Sequence, residues 1–340
     1  MRYFLGGDLG GSKTHLLIAD ETGHAVGFAV GAGANHEMVG YQVVTDVVRD
    51  TLEVALEGAG IEAAAIAGAG MGISGYDWQS ERSDQLAALA SAGMDGFPVE
   101  VVNDAVVGLL AGAREGWGVG LVSGTGCNCW GIDRRQRHGR VLGLGSRVGE
   151  FAGGGALVQR AVWAVAREAT RRGPATALTA AFVEYTGTRD SDDFLEAFCE
   201  RRVEVPASAA PLVFRVAAEG DPAAIECIAW AGRELADLAI GVVRQLEFEA
   251  EAFELVLIGS LFRGGPLLTA PLLEAVHAVA PHARPVPLSA PPVVGSVVLA
   301  MARAGLDVRG MNERIASTLA ALRGGQHIAT DRLAPQEVQQ

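Results

Sequence analysis

An α/β fold in two lobes around a cleft is the class this sequence predicts, and three observations point to it. Short apolar, strand-like runs alternate with amphipathic helical stretches, the pattern of a sheet covered by helices. A strand–glycine turn–strand unit occurs twice, as LGGDLGGSKTHLLI over Leu5–Ile18 and as GLVSGTGCNCWGI over Gly120–Ile132. The chain of 340 residues holds about two domains' worth of sequence.

In chain order, Tyr3–Asp20 reads as strand, glycine turn and strand. Glu37–Ala59 places Val43, Val47, Leu52, Ala55 and Leu56 at helical spacing with charges between. Ala63–Ile73 reads as a buried strand opening into a glycine-rich loop, Ser83–Gly93 as a short helix, Val99–Val102 as a strand and Asp104–Ala113 as a helix. The second glycine unit follows as Val119–Ser123, a Gly124-Thr125-Gly126 turn and Cys127–Asp133. Gly153–Arg172 and Asp221–Leu246 read as long helices, Leu255–Ile258 as a buried strand ending at Gly259-Ser260, and Pro292–Arg303 as the start of another helix. With no linker to mark a boundary, the division falls just before the second glycine unit. It gives a first lobe over 1–114, a second over 115–323, and a polar, frayed tail over 324–340. In both units the leading strand ends on a polar residue, Asp8 in one and Ser123 in the other. An internal duplication follows, with one turn per half, so that two turns facing a cleft grip one phosphate chain.

Composition excludes several function classes. The net charge of −13 argues against a nucleic-acid partner and against a polybasic membrane anchor. With 49% hydrophobic residues, 20% charged ones and a mean hydropathy of +0.25, the chain buries real cores. The longest uncharged stretches are too rich in Gly or Pro for a membrane span. The start MRYFLGGDLGG has acid and glycine where a signal peptide needs an apolar run. Four cysteines, without a CxxC pair, read as reduced thiols of a cytoplasmic protein.

Three motifs carry candidate chemistry. In Asp8-Leu9-Gly10-Gly11-Ser12-Lys13-Thr14, glycines let backbone N–H groups approach phosphate oxygens, and a strand-end acid suits Mg²⁺. A plain hairpin turn has the same pattern. Ser123-Gly124-Thr125-Gly126-Cys127-Asn128 is a second phosphate-cradle pattern, with Asn128 placed to read a sugar hydroxyl. In Val101-Val102-Asn103-Asp104-Ala105, a carboxylate at a strand exit suits a general base; an ordinary helix N-cap aspartate is the competing reading. Gly70-Met71-Gly72-Ile73-Ser74-Gly75 matches the dinucleotide pattern, but no clear helix follows it. The seven histidines show no metal or triad spacing.

Taken in order, these motifs resemble the N-acetylglucosamine kinase family, within the BadF/BadG/BcrA/BcrD-type group of the actin–hexokinase–Hsp70 superfamily. The resemblance runs from about Tyr3 to Ala304. It rests on DLGGSKT (Asp8–Thr14), GANHEMVG (Gly33–Gly40), GISGYD (Gly72–Asp77), NDA (Asn103–Ala105), VSGTGCNCWGI (Val122–Ile132), GLGSRVGE (Gly143–Glu150), AEGDPAA (Ala218–Ala224), LIGSLF (Leu257–Phe262) and PPVVGSVVLA (Pro291–Ala300). It implies duplicated ribonuclease-H-like lobes and transfer of the ATP γ-phosphate to the C6 hydroxyl of N-acetylglucosamine or glucosamine.

By the same resemblance, Asp104 is the catalytic base and a sugar contact, and Asp8 holds Mg²⁺. Gly10, Gly11, Ser12, Lys13, Thr14, Thr125 and Gly126 hold the phosphates, while Gly259 and Ser260 line the adenosine side. Asn35, Asn128, Gly143 and Glu150 contact the sugar, and the protein is a homodimer. Two departures fall in the sugar pocket. The usual Gly-Asp-Glu-Gly-Ser is here Gly149-Glu150-Phe151-Ala152-Gly153, and Glu37 stands where an aromatic is common. An added carboxylate could pair with an ammonium, which keeps glucosamine open beside N-acetylglucosamine. The cysteine run of the iron–sulfur activator ATPases and the DNA-binding helices of related repressors are absent. A silent ATP/sugar-binding regulator and a sugar-independent ATPase remain the competing functions.

Overall fold

The computed structural model describes residues 1–325. The chain begins with strands β1 (Tyr3–Leu9), β2 (Lys13–Asp20) and β3 (Ala25–Ala32) and helix α1 (His36–Ala59). Then come β4 (Ile66–Ile73), α2 (Arg82–Leu89), β5 (Val99–Asn103), α3 (Asp104–Gly112) and β6 (Gly118–Ser123). It continues with β7 (Cys127–Ile132), β8 (His138–Arg140), α4 (Gly154–Ala169), α5 (Leu178–Thr186), α6 (Ser191–Cys199), α7 (Ala210–Ala218) and α8 (Pro222–Leu246). Strand β9 (Glu254–Ile258), α9 (Pro266–Val279), β10 (Arg284–Pro287), α10 (Val293–Arg303) and α11 (Met311–Gly325) complete it.

Two five-stranded sheets organise these elements, in the orders β3-β2-β1-β4-β5 and β10-β9-β6-β7-β8. Read from its other edge, the second order is the first with each strand replaced by its counterpart. The duplication expected from the paired glycine turns is therefore a duplication of topology: each turn joins the central strand of its sheet to the next strand. The α/β expectation holds, and every strand and helix read from the sequence is present to within a few residues.

The described chain divides into two compact units, residues 1–120 with 286–325, and residues 121–285. This corrects the division into 1–114 and 115–323, because α10 and α11 return to the first unit. Ser296 Oγ of α10, fully buried, donates to Gly7 O of β1 at 2.7 Å. Asn312 Nδ2 of α11 donates to Ala111 O in the last turn of α3 at 3.2 Å, and Thr318 Oγ1 accepts from Ala25 N of β3 at 3.0 Å. Of the expected tail, Gly324 and Gly325 close α11, and 326–340 lie outside the described residues.

In the first unit, β1 is antiparallel to β2 and parallel to β4, and β4 is parallel to β5. Leu5, Leu9, Leu16 and Ile18 pack with Val44, Val48 and Leu52 of α1 on one face. The other face takes α10 and α3 against bare backbone. A Cβ on Gly70 would lie 2.2 Å from Ser296 O, and one on Gly72 2.2 Å from Val107 Cγ2. The GxGxxG-like run is therefore a strand stripped of side chains so that helices can approach it, not a dinucleotide loop.

Candidate active site

Strand direction assembles the acids of the first unit. β1, β4 and β5 run parallel, with Leu9 in register with Ile73 and Ile73 with Asn103. Asp8, Ser74, Asp77 and Asp104 therefore come together at the carboxyl edge of the sheet, the usual side for a site in such sheets. The N-cap of α3 is Asn103, whose Oδ1 accepts from Ala105 N at 3.0 Å. Its Nδ2 donates to Asp77 Oδ1 at 3.0 Å and Tyr76 O at 3.1 Å. Asn103 thus takes the capping role, and Asp104 stands at the first helical position. Burial, then the charges of Asp8 and Asp77, push the half-buried Asp104 carboxyl up to about 6, against bonds from Ala105 N and Ser74 Oγ that favour the charged form.

The first glycine turn is held from both sides: Gly10 N donates to Lys13 O and Gly10 O accepts from Ala34 N, each at 2.9 Å. Gly11, Ser12 and Lys13 are exposed at its tip. Thr14 departs from the expectation. It is fully buried, and strand alternation puts it on the face opposite Lys13 and His15. His15 was not singled out from sequence. It pairs with Asp8 across the hairpin, its Nδ1 3.6 Å from Asp8 Oδ2. A histidine seven residues after a strand-end acid, across a tight turn, is the signal that identifies such a pair. Asn35 caps α1, accepting from Glu37 N at 2.9 Å, and its Nδ2 lies 3.5 Å from Ser74 Oγ. That contact ties this sugar-site candidate to the Asp104 cluster.

In the second unit, Gly124 N donates to Gly126 O at 2.9 Å, closing the turn. The first N–H groups of α4 hold it: Gly154 N donates to Gly124 O at 2.8 Å and Gly155 N to Thr125 O at 3.1 Å. Nothing lies within 4 Å of where a Cβ would sit on Gly124 or Gly126, so the turn is open on its outer side. Ser123, the counterpart of Asp8, is buried and donates to Ala152 O at 2.7 Å. Gly259 has φ 111°, and a Cβ there would lie 2.3 Å from Ser123 O, so glycine is required where β9 ends against β6.

Thr125 and Ser260 share the wall of a cavity of about 480 Å³ with Ser208, Pro211, Phe214 and Arg263. Sequence reading missed the last four, which come from the α7 region and the turn before α9 and match no motif. The size suits a nucleoside. Thr125 and Gly126 also line a second cavity of about 530 Å³, with Glu150, Phe151, Trp163 and Trp230.

Glu150 holds its own loop together. It is 9% exposed, its Oε1 accepts from Leu142 N at 2.9 Å and its Oε2 from Gly145 N at 3.2 Å. Gly143 lies inside that loop with φ 75°, and Asn128 accepts from Cys129 N at 2.8 Å. Cys127 and Cys129 are buried, and burial raises both thiols, Cys127 to about 11. They read as neutral core groups.

Among the described residues, no cluster of three or more His, Cys, Asp or Glu could hold a metal by itself, and no helix is long and apolar enough to cross a membrane. Mg²⁺ does not need such a cluster, since it keeps waters and takes one or two carboxylates plus substrate phosphates. Asp8, beside two further carboxyls and an exposed turn, fits that donor set.

The Dictyostelium discoideum N-acetyl-D-glucosamine kinase is 24% identical over 88% of this chain and 97% of its own length. An N-acetylmuramic acid/N-acetylglucosamine kinase of Clostridium acetobutylicum is 28% identical over 57% of this chain and 63% of its own. The solved structure of a candidate N-acetylglucosamine kinase from Chromobacterium violaceum matches with a TM-score of 0.68 at 26% identity, covering 88% of this chain and 99% of that one. A family model matches residues 5–300, and the chain belongs to the BadF/BadG/BcrA/BcrD ATPase family.

Proposed function

We propose that this protein is an ATP-dependent amino-sugar kinase that phosphorylates the C6 hydroxyl of N-acetylglucosamine or glucosamine. The observation that carries the reading is the Asp104 carboxyl. It stands at a strand end, relieved of capping by Asn103, with its pKa raised to about 6. A base poised there is largely ionised at neutral pH and can still take a proton. The similarity to the Dictyostelium and Clostridium kinases supports the same substrate class.

Phosphoryl transfer is mostly positioning and charge neutralisation. Asp104 accepts the hydroxyl proton as the oxygen attacks the γ-phosphorus. Gly10, Gly11, Ser12 and Lys13 on the first turn, and Thr125 and Gly126 on the second, donate to phosphate oxygens. The cavity beside Ser260 and Phe214 takes the adenosine. Asp8 holds Mg²⁺, which when bound neutralises phosphate charge. Asn35 and Asn128 orient the sugar, and Glu150 acts by fixing the 142–145 loop. With both Glu150 oxygens engaged by backbone and Phe151, Trp163 and Trp230 lining the adjoining cavity, the wall there is largely apolar. That favours an acylated over a free amine. The homodimer belongs to the same proposal, and sedimentation tests it.

The test is ADP release with a panel of N-acetylglucosamine, glucosamine, N-acetylmannosamine, glucose and N-acetylmuramic acid, ranked by kcat/KM. Sugar-dependent ADP that vanishes in Asp104→Asn, with ATP binding retained, is expected. ADP formed equally without sugar would replace the kinase by an ATPase, and ATP binding without any ADP would leave a regulator.

A further inference from the structure

A third concave feature lies in residues 121–285, next to the cavity of Thr125 and Glu150 and sharing Trp163 with it. It is a groove of about 760 Å³ whose lining includes Arg160, Trp163, Arg167, Arg172, Glu226 and Cys227. Arg160, Trp163 and Arg167 stand at spacings of three and four along α4 and so share one helix face. Arg172 follows just beyond the end of α4. The Trp163 indole is 47% exposed, a large flat apolar surface among three guanidiniums.

The groove lining carries three guanidiniums and a single carboxylate, Glu226. Nine arginines elsewhere (Arg2, Arg49 and Arg82 are examples) each lie within 4 Å of a carboxylate. Arg160, Arg167 and Arg172 make no ion pair among the described residues. They are nonetheless positioned. The Arg160 guanidinium lies 4.9 Å over the Trp230 ring, Arg167 Nη2 donates to Arg172 O at 2.8 Å, and Arg172 Nε donates to Thr170 Oγ1 at 2.9 Å.

The neighbouring acids do little to offset them. Glu226 is paired with Arg233. Asp221 is spent on Ala224 N, Ala177 N and Thr176 Oγ1. Burial holds the Cys227 thiol neutral at about 11. Burial raises the Glu234 carboxyl near Trp230, with Arg160 opposing. On a chain of net charge −13, three uncompensated guanidiniums around one concavity make a local positive potential.

We propose that this groove binds a sugar phosphate, with its phosphate on Arg160, Arg167 and Arg172 and its ring on Trp163. Guanidinium forks match phosphate oxygens pairwise, and the double charge of a phosphate monoester suits three forks better than a single carboxylate does. The indole face offers the apolar surface that the less polar face of a sugar ring covers. The same helix gives the site a consequence. The first N–H groups of α4 hold the Gly124–Gly126 turn, and Trp163 lines both this groove and the cavity that contains Thr125 and Glu150. A ligand seated on α4 therefore acts on the wall of the candidate active site. On the kinase reading, the ligand is the reaction's own class of product, and the groove is a feedback site.

The test is calorimetric titration at low salt of the full-length protein with N-acetylglucosamine 6-phosphate and, separately, inorganic phosphate. Wild type, Arg167→Gln/Arg172→Gln, Trp163→Ala and Asp104→Asn are compared. The double variant should bind the sugar phosphate about ten-fold more weakly or worse. Trp163→Ala should weaken the sugar phosphate but not inorganic phosphate, and Asp104→Asn should leave this binding unchanged. Arg167→Lys/Arg172→Lys keeps the charge without the fork and should fall between, which preserves the test should the glutamine variant fold poorly. Equal affinity in wild type and both double variants would overturn the site. Equal binding of inorganic phosphate, with no effect of Trp163→Ala, would overturn the sugar-phosphate assignment. A changed sedimentation coefficient in the double variant, with no ligand heat in wild type, would make the groove a contact between copies instead. None of these outcomes depends on catalysis, so failure of the kinase reading is scored separately, by the ADP assay.

Discussion

Replacing Asp104 by asparagine should make the protein more stable at neutral pH while it abolishes turnover. The carboxyl is raised from 3.8 to about 6 by burial and by the charges of Asp8 and Asp77. At about 1.4 kcal/mol per pH unit, keeping it ionised in the fold costs about 3 kcal/mol. A carboxyl raised in the folded state carries this penalty above the folded pKa, and the penalty disappears below the unfolded one. The gain in Asp104→Asn should thus be full at pH 7–8, decline as the pH falls from about 6, and vanish below 3.8. Loss of the charge-assisted bonds from Ala105 N and Ser74 Oγ removes part of it, leaving about 1–2 kcal/mol. Urea unfolding at pH 8, 6 and 4.5 measures this. A variant less stable than wild type at pH 8, or a gain independent of pH, would refute the argument. In the wild type, kcat/KM should fall about ten-fold per unit below pH 6.

Lys13 is the sole lysine of the chain and is exposed at the turn tip. Mg-ATP should slow its acylation several-fold, measured by peptide mass spectrometry, and no protection removes it from the phosphate site. A Cβ on Gly264 would lie 2.1 Å from Phe214 Cε1, so Gly264→Ala should push that ring into the 480 Å³ cavity. The KM for ATP should rise about ten-fold with the sugar KM little changed; equal changes in both would place the nucleotide elsewhere. Ser296→Ala removes the buried hydroxyl bond to Gly7 O inside the first unit and should cost about 1 kcal/mol of stability in denaturant titration.

Several strands and helices were legible because glycine turns, apolar runs and strand-end acids are local signals. The residues of the Asp104 cluster were legible as types, but their meeting depends on parallel register, which no local pattern encodes. Asp8 and Asp104 are 96 positions apart by numbering, yet Asp8 pairs with Gly72, whose neighbour Ile73 pairs with Asn103. Two differences between expectation and structure have the same origin. Thr14 was grouped with Ser12 and Lys13 by adjacency, although alternation sends it to the other face. The chain was cut once, although α10 re-enters the first unit. Strands β3, β8 and β10 and the cavity wall from Phe214 and Arg263 have weak patterns of their own, since their neighbours supply what buries or frames them.

The two halves share one topology but have diverged where it matters for chemistry. In the first, the strand after the turn carries His15 opposite Asp8, and the end of β5, two strands along from β1, supplies Asp104, so negative charge is concentrated there. In the second, the position of Asp8 is Ser123, whose hydroxyl is spent on Ala152 O, and the neighbouring strand end is Gly259, packed on the Ser123 backbone. At these two positions the second unit carries no carboxylate. A unit that receives the phosphates of a nucleotide is better served by a neutral edge, because a carboxylate near phosphate oxygens costs energy unless a cation intervenes. A unit that must hold a cation and accept a proton needs the acids. Installing the missing charge tests this division of labour: Ser123→Asp should weaken ATP binding even in the presence of Mg²⁺. The isosteric Ser123→Cys, which also loses much of the bond to Ala152 O, should bind ATP more tightly than the aspartate variant. If the two substitutions are equally harmful, lost packing rather than charge explains the serine.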